Sequence, residues 1–280
     1  SCYNFGFFFH FRCNMLYHLL MNIKNKQLDF FTSKLANAFL KNKIIAPIPL
    51  KYIKKISNAQ KFRKLCESKI SKPVAGFKAA GTGIPMLKKL KEKEPFYATI
   101  YKQNVLKNKQ RVNINKYTLG IELEVCYLIK KSFFDSKSNI TSKNVQKYIM
   151  NIAPCIEVVG YRQKKKGINF LGDLCSDFGA NVKFVIGKKK KNKNIKISNL
   201  KTTLSNNRIN QSINGNTNTV YVNPINSLVF VLNKVKKDKI KLNENFYVFT
   251  GSTIGVVPIQ SKGIYEGKIE TLGSVRTKIV

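Results

Sequence analysis

Residues 117–129, YTLGIELEVCYLI, alternate in a way that strongly constrains the fold. The odd-numbered positions from 121 to 125 are apolar, whereas Glu122 and Glu124 stand between them. A period of two is typical of a β-strand, in which residues i and i+2 share a face and lie about 7 Å apart. One face of this strand is therefore apolar. The two carboxylates point together, either into solvent or into a site.

Two neighbouring carboxylates need an explanation, because like charges are costly unless water or a positive charge neutralises them. On its own, such a pair is typical of an exposed strand edge. A third carboxylate, Glu157, stands in the apolar stretch PCIEVVG, which also has the character of a strand. Three carboxylates with water would suit Mg²⁺ or Mn²⁺, which prefer oxygen ligands. Spacing alone leaves the exposed edge and the metal site as alternatives.

Basic residues outnumber acidic residues by 51 to 14, which gives a formal net charge of +37. A charge of this size attracts nucleic acid or an anionic membrane surface. Only six of the basic residues are arginine, which nucleic-acid sites favour, and the other 45 are lysines spread along the chain. We interpret the lysines as a solvated surface that reflects A- and T-rich codons, and we do not expect a nucleic-acid partner.

Cysteine and histidine usage limits the available chemistry. The six cysteines form no C-x-x-C pair, so the sequence indicates neither a zinc site nor a disulfide scaffold, and we expect a reducing, cytoplasmic setting. The two histidines, His10 and His18, both lie near the N-terminus. Chemistry in the rest of the chain must use Glu, Asp, Lys, Tyr, Ser or Thr. No run of about 20 apolar residues occurs, so we expect no membrane span.

The chain divides into three segments. Residues 1–20 are aromatic and irregular and lack the basic region and cleavage site of a secretory signal. We interpret them as a leader, either an over-extended reading frame or an organelle or membrane address. Amphipathic patterns predict a helical section over residues 21–72. From 73 to 280 we expect a strand-rich domain, with a helix at about 142–152 and a surface loop at 205–219.

Several motifs occur in a fixed order along the chain. They are AGFKAAGTG, EPFYATIY, GIELEV, APCIEVVGYR, DLCSDFGANVKFVIG, NPINSLVFVLN, FTGSTIGVVPI and GKIETLGSV. Together they resemble the 2-keto-4-pentenoate hydratase group of the fumarylacetoacetate hydrolase superfamily, which includes 2-oxo-acid decarboxylases of aromatic-compound catabolism. The resemblance implies an α+β fold with a mixed β-roll as the catalytic domain over residues 73–280. It also implies a homo-oligomer.

The resemblance assigns roles to individual residues. Glu122, Glu124 and Glu157 match the positions that ligate a divalent metal, Mg²⁺ or Mn²⁺, and Lys78 matches the lysine beside the substrate. Asp173 and Asp177 match two acidic positions of the catalytic set. Thr250 and Gly251 match the Thr-Gly pair at the substrate carboxylate. Gly76 is a further candidate for substrate binding, because glycine would let the backbone approach a ligand closely.

These residues suit the chemistry of a 2-oxo acid, whose carboxylate and keto oxygens can chelate one metal ion. The metal would polarise the keto group and stabilise the enolate that follows. Lys78 would stabilise the enolate or relay a proton, and relay would require a lowered pKa. We therefore expect a divalent-metal-dependent hydro-lyase that hydrates a 2-keto-4-pentenoate-like substrate.

Other functions remain open. The sequence departs from the hydratase pattern on the substrate side, at Phe77 and Phe96 among other positions, so a 2-oxo-acid decarboxylase is an alternative. Hydrolysis of a carbon–carbon bond in an acylpyruvate ranks lower, because that reaction usually calls for a histidine. The alternative that is not an enzyme is a catalytically inactive basic subunit, which binds RNA or serves in assembly. The retained carboxylate triad argues against it.

Overall fold

A computed structural model describes residues 25–165, 167–192, 195–221 and 223–280. The leader predicted over residues 1–20 lies outside these residues, and so do both histidines. No helix in these ranges is both long and apolar enough to cross a membrane. The helices within them are α1 (25–40), α2 (Leu50–Ile53), α3 (Ile56–Glu67), α4 (Ile84–Lys89), α5 (Leu171–Ser176) and α6 (Pro224–Lys237).

The described part of the chain also forms two β-sheets. Their strands are β1 (Val74–Ala80), β2 (Phe96–Tyr101), β3 (Val105–Lys107), β4 (Arg111–Val112), β5 (Thr118–Ile129), β6 (Ile149–Gly160), β7 (Asn181–Ile186), β8 (Lys190–Lys191), β9 (Lys201–Asn206), β10 (Gln211–Asn216), β11 (Phe246–Ser252), β12 (Val257–Pro258), β13 (Gly263–Ile269) and β14 (Gly273–Ile279). The larger sheet has the order β2-β1-β11-β5-β6-β7-β3, with β12 added to β5 and β8 added to β6. It is mixed, since β1 runs parallel to β11 and β3 runs parallel to β7.

The apolar face of β5 packs towards the smaller sheet, whose order is β10-β9-β13-β14-β4. Ile121, Leu123 and Val125 are fully buried in this core, together with β13 and β14 residues such as Ile269. Gly267 on β13 lets the two sheets approach, because a Cβ there would lie 2.4 Å from Cδ1 of Leu123. The alternation of β5 therefore buries one face between the sheets and leaves the carboxylate face for the other side.

Helix α6 covers part of the larger sheet, beside β11 and β1. It begins with Pro224 in its first turn, and the side chain of Asn223 accepts a hydrogen bond from the backbone N–H of Asn226, as an N-cap does. Leu228 and Leu232 are fully buried and form part of its apolar stripe. Lysines in the last turn complement the helix dipole.

The N-terminal helices build a second apolar cluster against α5. Leu35 of α1, Phe62 and Cys66 of α3, and Leu171 of α5 are buried within it. The helices of this section end at Glu67, and the first strand begins at Val74. This cluster packs at one end of the larger sheet and holds α5 beside the chain that follows β6.

Two predicted elements take another form. The helix expected at about 142–152 is a short 3₁₀ turn, Val145–Tyr148, followed at once by β6. The surface loop expected at 205–219 is mostly the hairpin of β9 and β10, which pair in register from Asn206↔Gln211 to Lys201↔Asn216. The hairpin was missed because Asn, Ser, Thr and Gln residues occupy most of its strand positions.

Candidate active site

Two adjacent strands bring the three predicted carboxylates together. In the antiparallel β5–β6 pair Glu122 lies directly opposite Glu157, and Glu124 follows two residues later on the same face. One carboxylate oxygen from each residue lies within 4.8 Å of the others. Glu124 and Glu157 are fully buried, and Glu122 is half-buried. The predicted triad is therefore a compact cluster on the face of the larger sheet that points away from the smaller sheet.

Lys78 reaches this cluster from β1. Its Nζ donates to Oε1 of Glu157 at 2.5 Å, to Oε2 of Glu157 at 2.7 Å and to the carbonyl oxygen of Gly179 at 3.2 Å. The side chain is 3% exposed, so the ammonium is buried against the carboxylates rather than solvated. The structure thus places the predicted lysine within the same site as the predicted ligands.

Gly251 orients Glu124. Its backbone N–H donates to Oε2 of Glu124 at 3.0 Å. The residue has φ of +103°, and a Cβ there would lie 2.1 Å from Oγ1 of Thr82. Only glycine meets both conditions, because other L-residues are strained at this φ and would collide with Thr82. Gly251, which was predicted to bind the substrate, therefore lies against Glu124 of the cluster.

The electrostatics of the cluster follow from burial. Burial raises the pKa of Glu122 to about 7, and the neighbouring Glu157 adds to this effect while Lys78 opposes it. Burial also raises the pKa of Glu124 to about 7, against the opposing effect of Lys78. For Lys78, burial favours the neutral amine, but the three carboxylates outweigh it and raise its pKa. The ammonium therefore stays protonated, which differs from the lowered pKa that proton relay would require.

The cluster fits a divalent cation on its own geometry. Within the described ranges, Oε1 of Glu124 is buried and has no hydrogen-bond partner. Three carboxylates and one ammonium leave the site with an excess of negative charge whenever all three acids are ionised. A hard divalent cation prefers such oxygen ligands and would neutralise this excess. The same three residues were predicted from the sequence as metal ligands.

A cavity of about 480 Å³ opens beside the cluster. Lys78 and Glu122 of the cluster lie in its wall, together with Gly251 and Ser252. The rest of the wall is mainly apolar and comes from β1, α4, the segment around α5 and the loop after β11. A small molecule with one polar end therefore fits the shape and polarity of this cavity.

Two predicted substrate-binding residues lie away from the cavity wall. Gly76 pairs with Tyr247 between β1 and β11, where a Cβ would lie 1.9 Å from the carbonyl oxygen of Tyr247. Position 76 must be glycine because β1 and β11 lie too close together there for a side chain. Thr250 is fully buried, and its hydroxyl donates to the carbonyl oxygen of Val125 at 2.9 Å. That bond holds β11 on β5 and so positions the neighbouring Gly251.

The two predicted catalytic aspartates also lie outside the cavity wall and are engaged in ion pairs. Oδ1 of Asp173 lies 3.1 Å from Nζ of Lys165. Asp177 is fully buried, where it accepts hydrogen bonds from the backbone and guanidinium of Arg162 and from Nε2 of Gln163. The side-chain amide oxygen of Gln163 in turn accepts a hydrogen bond from the backbone N–H of Ile48. This network links the N-terminal helices to the sheet.

Sequence reasoning missed two residues of the site. Gly179 has φ of +68°, and its carbonyl oxygen accepts from Lys78. Thr82 packs against Gly251 and lines the cavity. Both lie in motifs that were noted, DFGAN and KAAGTG, but neither has a charge or a spacing that would single it out. Only the fold reveals that these segments meet.

Comparisons with known proteins give the architecture a name. No family model and no curated protein matches the sequence. The structure of 4-oxalocrotonate decarboxylase from Pseudomonas putida, complexed with magnesium and adipate, aligns with a TM-score of 0.79 and 16% identity. The alignment covers 91% of this chain and 98% of the decarboxylase. A structure described as a fumarylacetoacetate hydrolase family protein, from Yersinia pestis, aligns with a TM-score of 0.52 and 16% identity, over 75% of this chain and 95% of that one.

The chain has the fumarylacetoacetate hydrolase fold. A third structure with this fold, 2-hydroxyhepta-2,4-diene-1,7-dioate isomerase from Mycobacterium marinum, aligns with a TM-score of 0.52 and 13% identity, over 75% of this chain and 76% of the isomerase. The predicted α+β architecture with a mixed β-roll and a helical N-terminal section is confirmed. At these identities the likeness establishes the fumarylacetoacetate hydrolase fold, and function must be argued from the site.

Proposed function

We propose that this protein is a divalent-metal-dependent lyase of 2-oxo acids, and that it hydrates a 2-keto-4-pentenoate-like substrate. The observation that carries the proposal is the cluster of three carboxylates within 4.8 Å, which borders a cavity of about 480 Å³. The fold of 4-oxalocrotonate decarboxylase, whose structure was determined with magnesium, supports Mg²⁺ or Mn²⁺ as the metal. The small-molecule partner is thus a 2-oxo acid.

Glu122, Glu124 and Glu157 would hold the cation. When bound, it would supply a Lewis acid for the keto oxygen and an electrostatic partner for the carboxylate of a 2-oxo acid. The chain would fix this arrangement by the hydrogen bond from the backbone N–H of Gly251 to Oε2 of Glu124, which holds that carboxylate in one orientation. The apolar cavity wall would exclude bulk water from the reacting end of the substrate.

Lys78 would act through its charge. Because the surrounding carboxylates keep it protonated, it provides a buried positive charge next to the position where the enolate form of the substrate develops. The net reaction adds one water across a carbon–carbon double bond, with the hydroxyl on one carbon and the hydrogen on the other.

A related 2-oxo-acid decarboxylase is the second candidate, because the alignment with 4-oxalocrotonate decarboxylase spans almost the whole of both chains. It would use the same carboxylates and Lys78 but release CO₂ instead of adding water. Acylpyruvate hydrolysis ranks lower, since the part of the chain that the structure describes contains no histidine to activate water.

A substrate panel tests the proposal. Purified protein is incubated with 2-hydroxydienoates and 2-oxo acids in the presence of Mg²⁺ or Mn²⁺, and loss of the dienol is followed by ultraviolet absorbance. We expect metal-dependent loss of absorbance with a product heavier by one water in mass spectrometry. A product lighter by CO₂ would identify the decarboxylase instead. Turnover that persists with chelator present, or in Glu122→Gln, would disprove the metal site.

A further inference from the structure

A second cavity, of about 710 Å³, lies on the carboxylate face of the larger sheet but at its other end. Every second side chain of β5 points to this face, from Glu122 and Glu124 through Cys126 to Leu128. Leu128 lines the second cavity, which we call the distal cavity, at about 13 Å along the strand from Glu124. The described residues that line it all differ from those that line the cavity beside the cluster.

A plug of buried side chains separates the distal cavity from the active site. Phe184 of β7 and Phe249 of β11 are fully buried, and their ring centroids lie 4.1 Å apart. Cys126 and Cys155 pack with them in one apolar cluster. Towards the active site, Nζ of Lys78 lies 5.9 Å from the ring centroid of Phe184. A ligand in the distal cavity therefore does not reach the carboxylates and must be recognised by other residues.

The floor of the distal cavity is apolar. Leu128 lies directly opposite Tyr247 of β11, and both side chains are half-buried, so part of each stays in contact with water. The aliphatic residues of the wall are Ala75, Val105, Leu106, Leu128 and Ile186. Apolar surface in a concave site gains free energy when a ligand covers it and releases the water. The floor therefore favours a ligand with an apolar body.

Lysines surround this floor. The basic residues of the wall are Lys102, Lys107, Lys188 and Lys189, and among the described residues that line the cavity Glu244 is the one acid. Glu244 pairs with Lys102 at 2.6 Å, and Nζ of Lys189 donates to the hydroxyl of Tyr247 at 2.8 Å. The wall thus keeps a net charge of +3. It attracts an anion, whereas the cavity beside the cluster presents a carboxylate.

We propose that the distal cavity binds a small organic anion, whose apolar body covers Leu128 and Tyr247 and whose charged group meets the lysines. Each part of the wall accounts for one part of this ligand. A bare anion would leave the floor in contact with water, and a neutral molecule would gain nothing from the ammonium groups. The proposal is independent of the proposed function, because the ligand touches neither the carboxylate cluster nor the cavity beside it.

Three matched ligands test this composition. Naphthalene-2-sulfonate has an apolar body and an anionic group, naphthalene-2-sulfonamide keeps the body without the charge, and methanesulfonate keeps the charge without the body. Binding to the metal-free protein is measured by calorimetry with chelator present. We expect one naphthalene-2-sulfonate per chain, bound at least about tenfold more tightly than either other ligand. Equal affinity for either of the other two ligands would contradict the proposal.

Paired lysine variants locate the site. Lys188→Gln/Lys189→Gln removes two charges from the wall, and Lys54→Gln/Lys55→Gln removes two exposed neighbouring charges between α2 and α3, outside the cavity. We expect the first variant to bind naphthalene-2-sulfonate at least about fivefold more weakly than wild type, and the second to stay within about twofold. Equal losses in the two variants would show a general effect of net charge and would overturn the proposal.

A third variant should strengthen binding. Glu244→Gln removes the acid of the wall and frees Lys102, so naphthalene-2-sulfonate should bind about twofold more tightly or better. Weaker binding would count against an anion site.

The outcomes also separate this proposal from others. If the protein binds vesicles of phosphatidylglycerol through Lys188 and Lys189 but does not bind naphthalene-2-sulfonate, these lysines serve a membrane surface and the proposal is wrong. If naphthalene-2-sulfonate binds as expected while the carboxylate cluster binds no Mn²⁺, the proposed function fails and the distal site stands.

Discussion

The Nζ atom of Lys78 lies 2.5 Å from Oε1 and 2.7 Å from Oε2 of Glu157, and both side chains are buried. Their strands, β1 and β6, are separated in the sheet by β11 and β5, so the pair reaches across two intervening strands of the larger sheet. The ammonium therefore neutralises part of the charge that a divalent cation would also neutralise. Lys78 and the metal act on the same carboxylates.

The first prediction concerns Lys78→Met, which removes the ammonium but keeps an unbranched side chain. Turnover should fall about 100-fold or more, because the charge next to the developing enolate is lost. Binding of Mn²⁺, measured by calorimetry, should become roughly tenfold tighter, because the cation no longer shares the carboxylates with an ammonium. Weaker Mn²⁺ binding in the folded variant would show that Lys78 supports the metal site rather than competing for it.

The second prediction concerns pH. In the metal-free protein Glu122 and Glu124 have pKa values raised from 4.5 to about 7. The folded state therefore holds more protons than the unfolded chain between about pH 4.5 and 7, and the contribution of these groups to stability falls as pH rises through that window. Mg²⁺ competes with these protons, so the rise in Tm caused by Mg²⁺ should grow from pH 5.5 to pH 8. A rise in Tm that is equal at both pH values would contradict this.

Gly251 provides a third prediction. Gly251→Ala would strain the backbone at φ of +103° and place a Cβ against Thr82, so the free energy of unfolding should fall by about 2 kcal/mol. Displacement of its N–H from Glu124 should weaken Mn²⁺ binding about tenfold. Gly255→Ala is the control, since Gly255 also has positive φ but a Cβ there meets no atom within 4 Å. Equal Mn²⁺ affinities in the two variants would count against a role for Gly251 in the site.

The fourth prediction separates structure from catalysis at Asp177. Asp177→Asn leaves the buried Arg162 without its counter-charge, so the free energy of unfolding should fall by about 3 kcal/mol. Mn²⁺ affinity and turnover of the folded variant should stay close to wild type, because Asp177 does not line the cavity. Asp173→Asn, which breaks a pair whose side chains are 12% and 11% exposed, should cost less than Asp177→Asn. If Asp177→Asn abolishes turnover while Tm is unchanged, Asp177 is catalytic, as the sequence resemblance suggests.

The sequence made the carboxylate cluster predictable for a simple physical reason. On a strand the period of two fixes which side chains share a face, so Glu122 and Glu124 had to point together. That Glu157 lies opposite Glu122 depends on the register of β5 and β6, and only the ordered motifs hinted at this pairing. The fold class followed from the same motifs.

Other features could not be deduced from the sequence. The partners of Asp173 and Asp177 depend on where Lys165 and Arg162 fold back, and acidic residues in a motif give no sign of an ion pair. The hairpin of β9 and β10 lacks the apolar alternation that marks a strand, because both strands are rich in Asn, Ser and Thr. The apolar part of the cavity wall collects residues from β1, α4, the segment around α5 and the loop after β11, which no local pattern can show.

The carboxylate cluster is the central claim, and removing one ligand tests it most directly. Glu124→Gln keeps the shape of the side chain but loses the charge of a fully buried group. Glu244→Gln is the matched control, because its carboxylate is 70% exposed and lies outside the cluster.

Titration of the metal-free protein with Mn²⁺ at pH 8, followed by the electron paramagnetic resonance signal of free Mn²⁺, measures this difference. We predict one tightly bound ion per chain in wild type and in Glu244→Gln, and affinity at least about 100-fold weaker in Glu124→Gln. Mn²⁺ binding of equal affinity in folded Glu124→Gln and wild type would contradict the account.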